Sequence, residues 1–195
     1  VFTHGYSSEY FVEGGRSRTG RTLSPKAGML AMTVRSYLRD SKKPMVFVPV
    51  YTGYEKVFEE KSYLGELRGK AKKKESLLDV LGTLRSFKKS FGKVNVTFGE
   101  PIHLSPYLEE RHPGWSNQDY EACNYRPDWA PELVDELATT VVTEINRAAS
   151  VNPINLIALA ILASPRQAMD ENQLMRHMEA YRDLLAMVPY SDMTV

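Results

Sequence analysis

Nine consecutive residues carry the densest chemistry in the chain. Glu13-Gly14-Gly15-Arg16-Ser17-Arg18-Thr19-Gly20-Arg21 holds three glycines, three arginines, two hydroxyls and one carboxylate. Glycines let a backbone approach a ligand closely and adopt positive φ. Arginine forks match phosphate oxygens in pairs. A helix beginning just beyond would add free N–H groups and the positive end of its dipole. Together these residues suit an anion held mainly by side chains. Glu13, beside the arginines, can fix their forks or accept a hydrogen bond from a ligand hydroxyl, which points to a ligand bearing both phosphate and hydroxyls. The spacing is neither G-x-x-x-x-G-K-[ST] nor G-x-G-x-x-G, so the common nucleotide loops are excluded. The same residue types also occur in ordinary strand-to-helix turns with solvated arginines.

The elements that would position this loop can be read on either side of it. Tyr10–Glu13 reads as a strand end. Ser24-Pro25 has the form of a helix cap and first position, and the spacing of Ala27, Leu30, Ala31, Val34, Tyr37 and Leu38 predicts a helix from Ser24 to about Arg39. Met45–Val50 is apolar on both faces, as a buried parallel strand requires. Strand, helix, strand in that order predicts a right-handed crossover with Glu13 and Pro49 at one sheet edge, where open α/β sheets bind ligands. Tyr51–Tyr54 reads as a turn, residues 59–67 as weakly helical and 77–87 as a helix. Val94–Phe98 alternates as a further strand. Residues 105–128, with prolines, Trp115 and several tyrosines, read as an insertion of little regular structure.

Later helices are marked more sharply. Pro131 opens a helix whose stripe is Val134, Leu137, Ala138, Val141, Ile145 and Ala148. Asn152-Pro153 starts another. Its Ile154–Ala163 run is apolar nearly all round and about half the ~20 residues a membrane span needs. It reads as a buried core helix, with an interfacial membrane segment as the alternative. Asp170 with Gln173 three residues on forms a capping box for the last helix, whose stripe is Leu174, Met178, Tyr181, Leu185 and Val188.

With these blocks in view, the chain resembles the glycerolipid acyltransferases. Phe11-Val12-Glu13-Gly14-Gly15-Arg16-Ser17-Arg18-Thr19-Gly20-Arg21 is similar to that family's third block, in the form carried by its bacterial glycerol-3-phosphate branch. Val48-Pro49-Val50-Tyr51 is similar to the fourth. Lys74-Glu75-Ser76, Val94–Ile102 and Val188–Asp192 extend the resemblance over nearly the whole chain. It implies an α/β fold. Residues 1–150 would be the C-terminal part of an acyltransferase domain, with a mainly parallel sheet flanked by helices. Residues 151–195 would be a C-terminal helical segment. It further implies acyl transfer from acyl-CoA or acyl carrier protein to the 1-hydroxyl of sn-glycerol 3-phosphate, at the cytoplasmic face of the bacterial inner membrane, with no cofactor or metal. The acceptor-binding residues it implies are Glu13, Gly14, Arg16, Ser17, Arg18 and Pro49.

That chemistry needs a general base for the acceptor hydroxyl. The family supplies a His with an Asp five residues on. The four histidines here have Glu9, Leu108, Asn117 and Arg182 at that offset from His4, His103, His112 and His177. The chain is therefore expected to be part of a longer protein whose base lies upstream.

Composition bounds the alternatives. The chain has 195 residues, 43% of them hydrophobic, and a formal net charge of +1. It is long enough for one compact domain with a core, or one domain plus a helical appendage. The single cysteine, Cys123, excludes an internal disulfide framework and fits a reducing compartment. From Arg68 to Lys93, nine basic residues face two acidic ones. This segment suits steering of an acyl carrier protein or anionic lipid, or a solvated charged face. Only Phe87 and Phe91 interleave it, which argues against a nucleic-acid module. A lysophosphatidate acyltransferase is the other alternative; Thr19-Gly20-Arg21 favours glycerol 3-phosphate through the resemblance.

Overall fold

The computed structural model describes residues 5–15, 17, 20–54, 92–120 and 127–189. The helices expected over 59–67 and 77–87, most of the basic segment, Cys123 and His4 lie outside these residues. The chain forms two compact units, Val1–Tyr51 with Thr97–Ala149, and Thr52–Val96 with Ser150–Val195.

In the first unit, helix α1 (Gly28–Arg39) packs against helix α3 (Ala130–Arg147). Both are amphipathic, and their apolar stripes meet. Leu30, Val34, Tyr37 and Leu38 of α1 are buried with Leu133, Val134, Leu137, Ala138 and Val141 of α3. Leu104, Tyr107, Leu108, Trp115 and Tyr120 close the same core. Three of these come from helix α2 (Leu104–Arg111), and Trp115 sits in the 3₁₀ turn Trp115–Asn117. The segment expected to be irregular is thus partly helical and a main contributor to the core. Its signal is obscured by Pro106, which a first helical turn tolerates because its missing N–H would be unpaired there anyway. Helix α1 starts at Gly28, four residues later than Ser24-Pro25 suggested, and no side chain caps it.

The expected parallel crossover is absent from the described residues. Tyr10–Glu13 is not a strand: the Gly14 N–H donates to the Phe11 carbonyl at 3.0 Å, closing a turn with Gly14 at φ +61°. The strands present form two antiparallel pairs, β1 (Val46–Phe47) with β4 (Ile102–His103), and β2 (Val50–Tyr54) with β3 (Val94–Phe98). In the first pair Val46 lies opposite His103 and Phe47 opposite Ile102. Pro49 divides the Met45–Val50 run because it has no N–H to give a ladder. Its carbonyl still accepts the Gly99 N–H at 2.8 Å. Tyr51–Tyr54, expected to turn away, continues as β2. Glu13 and Pro49 therefore do not share the edge of a parallel sheet.

In the second unit, helices α4 (Pro153–Ala163) and α5 (Glu171–Met187) pack against each other. Their starts are those the sequence marks. The Asn152 side chain accepts the Asn155 N–H, and Asp170 and Gln173 form the reciprocal capping box. The core reading of α4 does not hold among the described residues: only Ala160 is buried, while Ile154, Leu159 and Leu162 are exposed. The α5 stripe residues Leu174, Met178, Tyr181 and Leu185 are only half-buried, and Val188 is exposed. No described helix is long and apolar enough to cross a membrane.

Candidate acceptor-binding loop

The polar loop leaves the core at Val12, whose side chain is buried, and returns to it at α1. Two backbone bonds make its neck. The Lys26 N–H donates to the Val12 carbonyl at 2.7 Å, and the Gly14 N–H to Phe11 as above. The Glu13 carboxylate, half-buried, adds a third closure by accepting the Leu23 N–H at 3.1 Å through Oε2. Glu13 thus holds the two ends of the loop together, a role its position beside the arginines did not reveal.

Gly14 is needed for two reasons. Its φ of +61° is strained for any residue with a side chain. A Cβ there would also lie 2.8 Å from Cγ and 3.2 Å from Cβ of Lys26. The lysine stem therefore runs across the glycine backbone, which makes Lys26 part of the loop's wall. Sequence reasoning passed over it because it lies beyond the Arg-rich block. Ser17 is half-buried with its hydroxyl oxygen shielded from solvent. Arg16 and Arg18 lie outside the described residues. Tyr10 borders the neck, and burial pushes its phenol up to about 12, so it stays protonated at neutral pH.

Pro49 is buried at the corner between β1 and β2. Its neighbour across the corner is Gly99, where a Cβ would meet the Pro49 Cβ at 3.2 Å, the Glu144 carbonyl oxygen at 3.0 Å and the Ala148 Cβ at 3.6 Å. Glycine is required there by close approach, since its φ is not positive. The corner therefore rests on the last turn of α3. The loop reaches the same turn: the Thr22 hydroxyl donates to Asn146 Oδ1 at 2.7 Å, across 124 residues of sequence. Glu13, Gly14 and Ser17 thus lie in one loop, and Pro49 is related to them through the end of α3. Thr22 and Asn146 were not legible as partners, because a contact this distant leaves no local pattern.

Two other contacts join elements of the first unit. Arg111 bonds Glu136 at 2.7 Å and covers the Tyr107 ring at 3.7 Å. His112 stacks on Trp129 at 4.2 Å between ring centres. No group of His, Cys, Asp and Glu among the described residues has the geometry to hold a metal ion.

Comparison with known proteins assigns the chain to a family. The model of the glycerol-3-phosphate acyltransferase C-terminal region matches residues 63–195. Glycerol-3-phosphate acyltransferases of Pseudomonas paraeruginosa and Pseudomonas aeruginosa are each 55% identical to the chain over 191 residues. That of Pseudomonas putida is 53% identical over 194 residues. The match covers 98% of the chain for the first two and 100% for the third, but only 23% of each relative. The chain thus spans about a quarter of the length of these relatives. On the family match and the identities together, the chain belongs to the family defined by the C-terminal region of glycerol-3-phosphate acyltransferases.

Proposed function

We propose that the intact protein transfers a fatty acyl group from a thioester, acyl-CoA or acyl carrier protein, to the 1-hydroxyl of sn-glycerol 3-phosphate. In this step the hydroxyl oxygen attacks the thioester carbonyl, a C–O bond forms and the C–S bond breaks. The hydroxyl proton passes to a general base, which gives it to the departing thiolate so that a thiol leaves. These 195 residues contribute the acceptor-binding part. Arg16 and Arg18 bind the phosphate, Gly14 and Ser17 shape the loop, and Glu13 fixes its closure. Pro49 shapes the adjoining corner. The base is a His with an Asp five residues on, a pair this chain lacks. On this reading the 195 residues alone do not turn over, since missing general-base catalysis forfeits a factor of roughly 10² to 10⁴.

The observation that carries the reading is the Glu13–Arg21 block set in a loop whose two ends are clamped by Glu13. No cofactor or nucleic acid enters this proposal. A membrane surface does, because the acyl product is amphiphilic and α4 exposes Ile154, Leu159 and Leu162. We place the intact protein at the cytoplasmic face of the bacterial inner membrane.

The test is Arg16→Ala in the intact enzyme. A charged hydrogen bond contributes roughly 1.5–3 kcal/mol, so KM for glycerol 3-phosphate should rise at least about tenfold while KM for the thioester holds. Unaltered glycerol 3-phosphate saturation would refute the assignment. Lysophosphatidate offered in competition should be a poor acceptor.

A further inference from the structure

The end of α3 contains no residue of the acceptor blocks, yet it contacts a neighbour of each: Thr22, which follows Arg21, and Gly99, which packs on Pro49. Gly99 brings the Pro49 corner against the Glu144 carbonyl and Ala148. One residue turn away, Asn146 Oδ1 accepts the Thr22 hydroxyl at 2.7 Å. Thr22 is the first residue after the Glu13–Arg21 block and precedes Leu23, whose N–H is held by Glu13. The Thr22–Asn146 bond and the Leu23–Glu13 bond therefore grip adjacent residues. The first fixes where the returning limb of the loop lies relative to α3, and the second fixes how wide the loop is.

The turn that supplies Asn146 is itself well held. The Ala148 N–H donates to the Glu144 carbonyl at 3.0 Å, and the Glu144 side chain, only 13% exposed, pairs with Arg147 at 2.8 Å. Ala148 is buried. A tether from an exposed loop to such a turn moves the loop onto a rigid base, which lowers the freedom that ligand binding would otherwise have to remove.

We propose that Asn146 is a positioning residue for the acceptor. Through its hydrogen bond to Thr22 it holds the phosphate-binding loop in register with the Pro49 corner. Asn146 touches no reacting atom and acts through Thr22. The proposal rests on the reading of residues 13–23 as the acceptor loop, and the experiment separates the two.

Steady-state kinetics of the intact enzyme should be measured for Asn146→Leu, Thr22→Val and the double variant, with Asn146→Asp, Thr22→Ser and Arg16→Ala beside them. A neutral hydrogen bond of this kind corresponds to about a three- to tenfold change. Asn146→Leu and Thr22→Val should each raise KM for glycerol 3-phosphate by that factor, with kcat and thioester KM within about twofold. The double variant should be no worse than either single one, because both remove the same bond. Asn146→Asp keeps the acceptor oxygen and Thr22→Ser keeps the donor, so each should restore the acceptor KM. If Arg16→Ala raises that KM but Asn146→Leu and Thr22→Val do not, the tether is wrong and the loop stands. If none of the three changes it, the loop reading falls and takes the tether with it. A uniform loss of kcat and both affinities with a lower melting temperature, unrelieved by Asn146→Asp, would make Asn146 merely structural and overturn the proposal.

Discussion

Helices α3 and α4 differ in how their apolar residues are used. Helix α3 has one apolar face. Leu133, Val134, Leu137, Ala138 and Val141 are buried, while its opposite side carries Glu132, Asp135, Glu136, Thr139 and Thr143. The threonine hydroxyls of Thr139, Thr140 and Thr143 donate to carbonyls four residues earlier, so the wet side satisfies its own polar groups. Helix α4 is richer in apolar residues and has a face of that kind on every side, yet it buries only Ala160. Among the described residues, periodicity and not apolar content decides which helix buries a face. A helix apolar all round has no face suited to water, and its covering has to come from other than the described packing. In the proposed setting that covering is a membrane surface.

Removing a buried side chain from α3 should produce the largest effect on stability. Leu137 is fully buried, and Leu137→Ala should cost about 2–5 kcal/mol. Native-state hydrogen exchange of the intact protein should show the loss as reduced protection in α1 and α3, the two helices that share its contacts. Undiminished protection there would break the contrast. Next comes the cap of α5. Asp170→Ala removes the acceptor for the Gln173 N–H and should cost about 1 kcal/mol, seen as exchange confined to the first turns of α5. Leu162→Gln on α4 should change stability by no more than about 0.5 kcal/mol, since the side chain is exposed. Its effect should appear instead as weaker binding to anionic vesicles. A large stability loss from Leu162→Gln would show that α4 is packed after all.

The last effect appears only at alkaline pH. The folded Tyr10 phenol titrates at about 12 against a usual 10.0. Between these values the unfolded chain gives up a proton that the folded one keeps, so stability falls as pH rises from 10 through 12. Tyr10→Phe should flatten that slope in alkaline unfolding curves. An unchanged slope would place Tyr10 in contact with water.

What could be read in the sequence was local. The stripe of α3, the Asn152 start of α4 and the Asp170–Gln173 box each lie within one or two turns of chain, and each is found where its residues mark it. The alternation of Val94–Phe98 likewise became β3. Strand pairing was not legible, because an apolar run such as Met45–Val50 suits a parallel or an antiparallel partner. Pro49 and Gly99 settle the local geometry only once their segments are opposed. Tyr10–Glu13 resembles a strand end in composition, but Gly14 lets the chain turn back at once. Of the candidate site, the loop itself was legible from its glycines and arginines. The Glu13 clamp, the Lys26 wall and the Asn146 contact were not, since each depends on where the chain returns.

In the proposed function, the geometry of the Glu13–Arg21 loop, and not merely its charge, binds the acceptor phosphate. Gly14→Val tests it while leaving every charged residue in place. A side chain at φ +61° and within 2.8 Å of Lys26 cannot keep the loop's present course, and strain of this kind costs on the order of 1–3 kcal/mol. Calorimetric titration of the intact protein with glycerol 3-phosphate is the direct measurement. Gly14→Val should weaken the Kd at least about tenfold, with thioester affinity unchanged. An unaltered glycerol 3-phosphate Kd would contradict it.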